Sequence, residues 1–158
     1  MKINWKKLLI SLAIPIATGG LAGWITSGAM DVYDSFEKPF LSPPGWLFPV
    51  VWTVLYALMG LAFYLAWTTP ADMNEKKKAS ILYFTQLALN FIWPIVFFSL
   101  EMPLAAFFVL AILWILIYLT IQQFSAINER AGDLLLPYIL WVSCAGYLNL
   151  GIYLLNSR

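Results

Sequence analysis

The sequence contains no histidine and only one cysteine, Cys144, and these shortages exclude whole classes of function. Structural zinc sites, haem ligation and Cys/His catalytic pairs all draw on side chains that the chain lacks or has only once. A disulfide within one chain needs a second cysteine. We therefore expect neither a metal centre nor a domain stapled by disulfides.

Charged side chains are also scarce. They make up 11% of the 158 residues, and hydrophobic residues make up 62%, against about 25% and about 45–50% in soluble domains. Nine basic and eight acidic side chains are too few to cover the surface of a soluble protein of this size. The net charge is only +1 and the longest basic run covers residues 76–78, so we expect no nucleic-acid partner.

Five stretches of the chain contain no Asp, Glu, Lys or Arg at all. They cover residues 8–28, 45–67, 79–100, 104–124 and 134–155. A helix of about 20 apolar residues, rising about 1.5 Å per residue, spans the hydrocarbon core of a bilayer. The sequence therefore predicts an all-α membrane protein, a five-transmembrane-helix bundle that forms a single domain over residues 1–158, with the lipid bilayer as its surroundings.

The basic residues predict the orientation of this bundle. Seven of the nine fall on one side of the predicted topology, namely Lys2, Lys6, Lys7, Lys76, Lys77, Lys78 and Arg130. The positive-inside rule places that side in the cytoplasm. We predict an integral, multi-pass protein with a cytoplasmic N-terminus and its C-terminus outside.

The first connection, residues 29–44, is the only long one. It carries Pro39, Pro43 and Pro44, which predict a stiff segment that is non-helical towards its end. A connection of this length beside a helix bundle is typical of a lid over a binding site, and a plain solvated connection is the alternative.

Small residues and prolines predict close helix packing and bends. Gly19 and Gly23 form a GxxxG spacing, which indicates either a dimer contact or a close neighbour within the bundle. Four prolines lie within the predicted spans and are expected to bend them, which opens a cavity if the bends face inward. They are Pro15, Pro49, Pro94 and Pro137.

Polar and aromatic residues in the spans indicate a binding site rather than acid-base catalysis, because no charged residue lies there. Gln86 and Asn90 share a face of the third span, and Trp141, Ala145 and Asn149 share a face of the fifth. Amides, an indole and small residues on one stripe suit a flat apolar ligand with a few polar groups. The alternative is a set of interhelical hydrogen bonds without a ligand.

Three separated strings carry a family resemblance. They are Lys38-Pro39 with Pro43-Pro44-Gly45-Trp46 and Val51-Trp52-Thr53; Gln86-Leu87-Ala88-Leu89-Asn90-Phe91-Ile92-Trp93-Pro94; and Leu136-Pro137-Tyr138 with Trp141, Ala145, Tyr147, Leu148 and Asn149. Together they closely resemble the tryptophan-rich sensory protein family, also called translocator protein or peripheral-type benzodiazepine receptor, in its bacterial form. The resemblance covers residues 19–156.

This resemblance implies a bundle that is usually a homodimer, with a pocket under the long first loop. The implied ligands are tetrapyrroles such as protoporphyrin IX, sterols in animal members and synthetic benzodiazepine-site drugs, with no cofactor required. Carried over by motif, the ligand-binding residues are Ala22, Ile25, Phe48, Trp52, Asn90, Trp93, Phe98, Trp114, Trp141, Ala145, Leu148 and Asn149.

The expected function is thus that of a membrane binding and sensory protein for porphyrins. Two alternatives remain open: transport of such ligands across the membrane, and light-dependent degradation of porphyrin, for which the resemblance implicates Trp52 and Trp141. The loop departs from the family pattern, because Val32 precedes Tyr33 where many members have tryptophan and Leu41 stands where an aromatic residue is expected. We therefore expect the loop to contact a ligand differently.

Overall fold

A computed structural model of the chain, which describes residues 2–158, confirms the all-helical class and contains no strand within that range. Its α-helices are α1 (Trp5–Ile25), α2 (Ala29–Ser35), α3 (Leu47–Thr68), α4 (Met73–Pro94), α5 (Pro103–Ile127), α6 (Glu129–Asp133) and α7 (Leu136–Asn156). A π-helical turn, Ile95–Ser99, continues α4. Five segments are long and apolar enough to cross a membrane, as predicted: α1, α3, α4 with its π turn, α5, and α6 with α7.

The helices differ in their ends from the charge-free stretches of the sequence. Helix α4 begins at Met73, so the lysines at 76–78 lie within it, and α5 continues to Ile127. Charged side chains near a helix end can bend towards the headgroups while the backbone remains helical. Lys76 does this, since its ammonium donates to the Trp67 carbonyl at 3.0 Å. The charge-free stretches therefore mark the hydrocarbon thickness rather than the helix ends.

The five long helices close into a bundle through pairs of neighbours. Helix α1 packs on α3 and α4, and α5 packs on α4 and α7. Aromatic pairs join α3 to α7: Phe48 meets Trp141 with ring centroids 5.6 Å apart, and Trp52 meets Tyr138 at 6.2 Å. The apolar interior of the protein therefore lies between all five helices.

Two of the four prolines expected to bend the spans lie instead at helix starts. Pro49 and Pro137 fall in the first turns of α3 and α7. A backbone N–H in the first turn has no partner within the helix, so a proline there removes nothing. Pro15 lies inside α1, and Pro94 marks the end of α4, where the π turn begins. Of the four prolines, only Pro15 and Pro94 therefore interrupt the hydrogen bonding of a helix beyond its first turn.

The long first connection begins with helix α2 and becomes irregular from Phe36 to Trp46, in line with the proline-rich end that the sequence predicts. Tyr33 is buried, and its hydroxyl donates to the Pro43 carbonyl at 2.7 Å. Burial, reinforced by the Asp34 carboxylate, raises the pKa of this hydroxyl above its ordinary value. The Tyr33 hydroxyl therefore stays protonated at neutral pH, and its hydrogen bond to Pro43 joins the two ends of the connection.

The irregular part of the connection also rests on α7. The Tyr147 hydroxyl donates to the Phe40 carbonyl at 2.6 Å, and Asn156 exchanges two hydrogen bonds with the backbone of Glu37, at 2.8 and 3.0 Å. Gly151 makes room for Pro39, because a Cβ at that position would lie 2.5 Å from the Pro39 ring. The loop is thus held against one end of the bundle.

Candidate ligand-binding site

One large cavity, of about 550 Å³, lies between α1, the start of α2, α3 and the end of α4. Two glycines of α1, Gly20 and Gly23, form part of its wall, and a Cβ at either position would meet nothing within 4 Å. Gly28 forms part of its rim with a φ of 87°, a conformation that favours glycine and lets the chain turn from α1 into α2. The missing side chains of α1 therefore create much of the space.

The GxxxG spacing accordingly has two uses within the chain. A Cβ at Gly19 would overlap the Tyr56 ring, so the absence of a side chain there makes room for a side chain of α3. Gly23 opens onto the cavity. At Gly19 the structure therefore agrees with the second interpretation of the motif, a close neighbour within the bundle.

Six of the residues that the resemblance implied for ligand binding line this cavity. They are Ala22 on α1, Phe48 and Trp52 on α3, Asn90 and Trp93 on α4, and Phe98 in the π turn. The indole of Trp52 stacks on the ring of Tyr56 with centroids 5.6 Å apart and planes at 29°. The structure thus brings together three separate segments, α1, α3 and α4 with its π turn, that the sequence linked only by resemblance.

Three further predicted residues, Ala145, Leu148 and Asn149, lie on α7 behind this wall. They border a second, much smaller space of about 10 Å³. Phe48, Trp93 and Phe98 line both spaces and so form an aromatic partition between them. The α7 residues therefore adjoin the main cavity only across three aromatic rings.

The remaining three predicted residues line neither space. Trp141 packs edge-on against Phe48, and its indole N–H is buried without a hydrogen-bond partner among the described residues. Ile25 and Trp114 are 41% and 39% exposed. The Trp114 indole donates to the Ser143 hydroxyl at 2.9 Å, which turns it towards α7 on the outside of the bundle. The helical faces that carry Ile25 and Trp114 thus point away from the cavity.

Hydrogen bonds between helices occupy the predicted amides. The Tyr56 hydroxyl donates to Asn90 Oδ1, Asn90 Nδ2 donates to the Tyr138 hydroxyl, and that hydroxyl donates to Gln86 Oε1, each at 2.7 Å. Asn90, Tyr138 and Gln86 are each at most 2% exposed. The network joins α3, α4 and α7 at the inner wall of the cavity, and it is one form of the interhelical bonding that the sequence left open as an alternative.

The side-chain amide of Asn149 is also used in hydrogen bonds within the protein. Its Oδ1 accepts from the Trp93 indole N–H at 2.9 Å, and its Nδ2 donates to the Pro103 carbonyl at 2.6 Å. Trp93 is therefore held in place by α7 while its ring faces the cavity. These bonds position the aromatic walls rather than presenting free amide groups to a ligand.

Several cavity residues are not among the ligand-binding residues that the resemblance implied. They are Ile16, Gly19, Gly20, Gly23, Thr26, Ser27, Gly28, Ala29, Met30, Asp31, Pro49, Thr53, Tyr56 and Pro94. The stripe of small residues on α1 was visible in the sequence as a packing motif, but its role as a cavity wall depends on which side of α1 faces α4. Within residues 2–158, no cluster of three or more Cys, Asp or Glu side chains could hold a metal ion.

Comparisons with known proteins agree with the fold and the motifs. The model of the TspO/MBR family matches residues 11–155. The chain is 40% identical to the tryptophan-rich protein TspO of Archaeoglobus fulgidus, over 98% of this chain and 100% of the relative. It is 34% identical to the tryptophan-rich sensory protein of Cereibacter sphaeroides, over 99% and 95%. It is 33% identical to the human translocator protein, over 74% and 70%. The chain is an integral, multi-pass membrane protein that belongs to the TspO/MBR family.

Proposed function

We propose that this protein binds a flat, largely apolar tetrapyrrole such as protoporphyrin IX in the cavity between α1, α3 and α4. The observation that carries the proposal is the cavity itself, about 550 Å³ in volume and lined by Phe48, Trp52, Trp93 and Phe98. Pockets for small molecules commonly measure about 300–1,000 Å³ and are mostly apolar and aromatic. Indole and phenyl rings suit the faces of a macrocycle.

The relatives' names support a sensory or translocator role, in which binding is the first step. One relative is called a sensory protein and another a translocator protein. We propose binding and sensing as the role here, since binding is the step on which the cavity bears directly. Sterol-like and benzodiazepine-type molecules are further candidate ligands of the same cavity.

Orientation and assembly complete the proposal. The excess of Lys and Arg on the N-terminal side supports a cytoplasmic N-terminus, and with that orientation the α2 end of the cavity would face the outer side. Protease accessibility of a terminal tag in sealed cells tests this orientation.

The homodimer implied by the resemblance stays a prediction that the mass of the detergent-solubilised protein tests.

The titration of purified protein with protoporphyrin IX in the dark tests the proposed function. We expect saturable quenching of tryptophan fluorescence, because Trp52 and Trp93 line the cavity. Replacing Gly23 by leucine adds a side chain to the cavity wall at a position where a Cβ meets nothing within 4 Å, and we expect the lost space to weaken binding about tenfold.

Leu21→Phe provides the matched control, because Leu21 is 50% exposed on the same helix and does not line the cavity. We expect this variant to bind as the wild type does. Quenching that rises linearly without saturation, or equal affinity of the Gly23→Leu and wild-type proteins, would contradict binding in this cavity.

A further inference from the structure

The polar groups that line the cavity are rich in hydrogen-bond acceptors. The hydroxyls of Thr26 and Thr53 donate to the carbonyls four residues earlier on their own helices, at 2.8 and 2.7 Å. The Tyr56 hydroxyl donates to Asn90. Since these protons are already used, the oxygens have only lone pairs left for a ligand.

Few side-chain hydrogen-bond donors in the cavity wall are free. The indole N–H of Trp52 and the hydroxyl of Ser27 donate to no other group within residues 2–158. The second indole of the wall, that of Trp93, is used by Asn149. A ligand therefore meets few free side-chain donors in this cavity.

Among the described residues that line the cavity, Asp31 is the one that carries a charge. It is exposed at the start of α2, and its carboxylate makes no hydrogen bond or ion pair within residues 2–158. The nearest basic residue of the same loop, Lys38, turns elsewhere: its ammonium donates to the carbonyls of Tyr33 and Phe36 at 3.1 Å each and lies 4.8 Å from the centre of the Tyr33 ring. The negative charge of Asp31 is thus not neutralised by Lys38.

We infer that the cavity selects its ligand by charge, and that Asp31 is a specificity-determining residue that disfavours a carboxylate at the α2 end and favours a neutral or cationic group there. The inference rests on the proposed function, since it concerns the same cavity. A carboxylate brought to this end meets the Asp31 charge and a wall with few free donors, so the hydration that it loses is only partly replaced. A neutral ester or an amine avoids that loss.

The test compares protoporphyrin IX, which carries two carboxylates, with its dimethyl ester, which carries none. Both are titrated into the wild-type, Asp31→Asn and Asp34→Asn proteins in one detergent at low ionic strength. The measured quantity is the Kd of the diacid divided by the Kd of the ester. Differences between the ligands in solubility and size cancel when this ratio is compared between variants.

We expect the ratio to fall by about threefold to tenfold from the wild type to Asp31→Asn, as removal of a unit charge near a partly hydrated site implies. The fall should shrink as salt is added. Asp34→Asn, three residues further along the exposed part of α2 and outside the cavity lining, should keep the wild-type ratio. Thermal melting of each variant verifies that it is folded.

An Asp31→Asn ratio equal to that of the wild type would overturn the charge selection while leaving porphyrin binding intact. An equal fall in Asp34→Asn would overturn the assignment to Asp31, because it would show only a general effect of surface charge. Absence of saturable binding of both porphyrins to the wild-type protein would overturn the proposed function and this inference with it.

Discussion

Replacing Gly60 by alanine is expected to destabilise the bundle by about 3 kcal/mol, the upper part of the usual range for overpacking a core. The added Cβ would lie 2.7 Å from the Ser11 carbonyl oxygen and 2.8 Å from the Leu12 Cα. Both are backbone atoms, so no side-chain rotation relieves the contact and α1 must move away from α3. Because α1 also forms a wall of the cavity, its displacement should weaken ligand binding as well.

Gly146→Ala is the matched control for this substitution. It makes the same chemical change in another transmembrane helix, where the Cβ would meet only the Leu110 Cδ2 at 3.9 Å, an ordinary contact. We expect unchanged or slightly raised stability, since alanine favours the helix by up to about 1 kcal/mol over glycine. Unfolding of the detergent-solubilised proteins measures both effects, and similar stabilities of the Gly60 and Gly146 variants would contradict the tight contact of α1 with α3.

Replacing Asn90 by leucine is expected to cost about 2 kcal/mol of folding stability. The change removes the acceptor of the Tyr56 hydroxyl and the donor to the Tyr138 hydroxyl, both at 2.7 Å, inside a buried network. Each orphaned buried group costs about 1–3 kcal/mol, although measured hydrogen bonds between membrane helices average nearer 0.6 kcal/mol. Loss of two bonds at once therefore gives an intermediate value.

A second substitution distinguishes the hydrogen bond from simple packing. In the Asn90→Leu background, Tyr56→Phe removes the hydroxyl that was left without a partner, so it should cost less there than in the wild-type protein. Chemical unfolding of the four proteins of this cycle gives the coupling between Asn90 and Tyr56. Additive effects of the two substitutions would show that the two side chains do not stabilise each other.

The fold could be predicted from the sequence because its dominant signal is local. A hydrocarbon core disfavours charged residues in the helices that cross it, so five charge-free stretches were enough to count the membrane-spanning helices. Their ends were less predictable, because lysines such as Lys76 reach the interface from within a helix. The short helix α2 carries no comparable hydropathic signal within a connection that contains several charges.

The cavity lining was easier to predict where motifs fix the register of a helix, although Ala22 lines the cavity from a segment without such a motif. Trp52, Asn90 and Trp93 fall within sharp motifs and line the cavity. Ile25 and Trp114 lie in segments without such motifs, and the structure places both on exposed faces. Trp141 shows a different limit, because it also falls within a sharp motif but packs behind Phe48 and does not line the cavity. Which ring of a packed pair faces the cavity depends on side-chain packing, which spacing along one helix does not encode.

The charge pattern illustrates the same division between local and tertiary information. The sequence shows that Asp31 belongs to the long first connection, but not that the start of α2 forms part of the cavity lining. Likewise, the small residues of α1 are plain in the sequence, whereas the space beside Gly20 and Gly23 exists only because α4 does not fill it.

A structure of the protein with protoporphyrin IX bound is the most direct test of the central claim that the cavity between α1, α3 and α4 is the binding site. We predict that the macrocycle lies with one face towards Trp52 and an edge along Gly20 and Gly23 of α1, on the near side of the partition formed by Phe48, Trp93 and Phe98. A macrocycle bound on the outer surface beside Trp114, with the cavity unchanged, would contradict the claim.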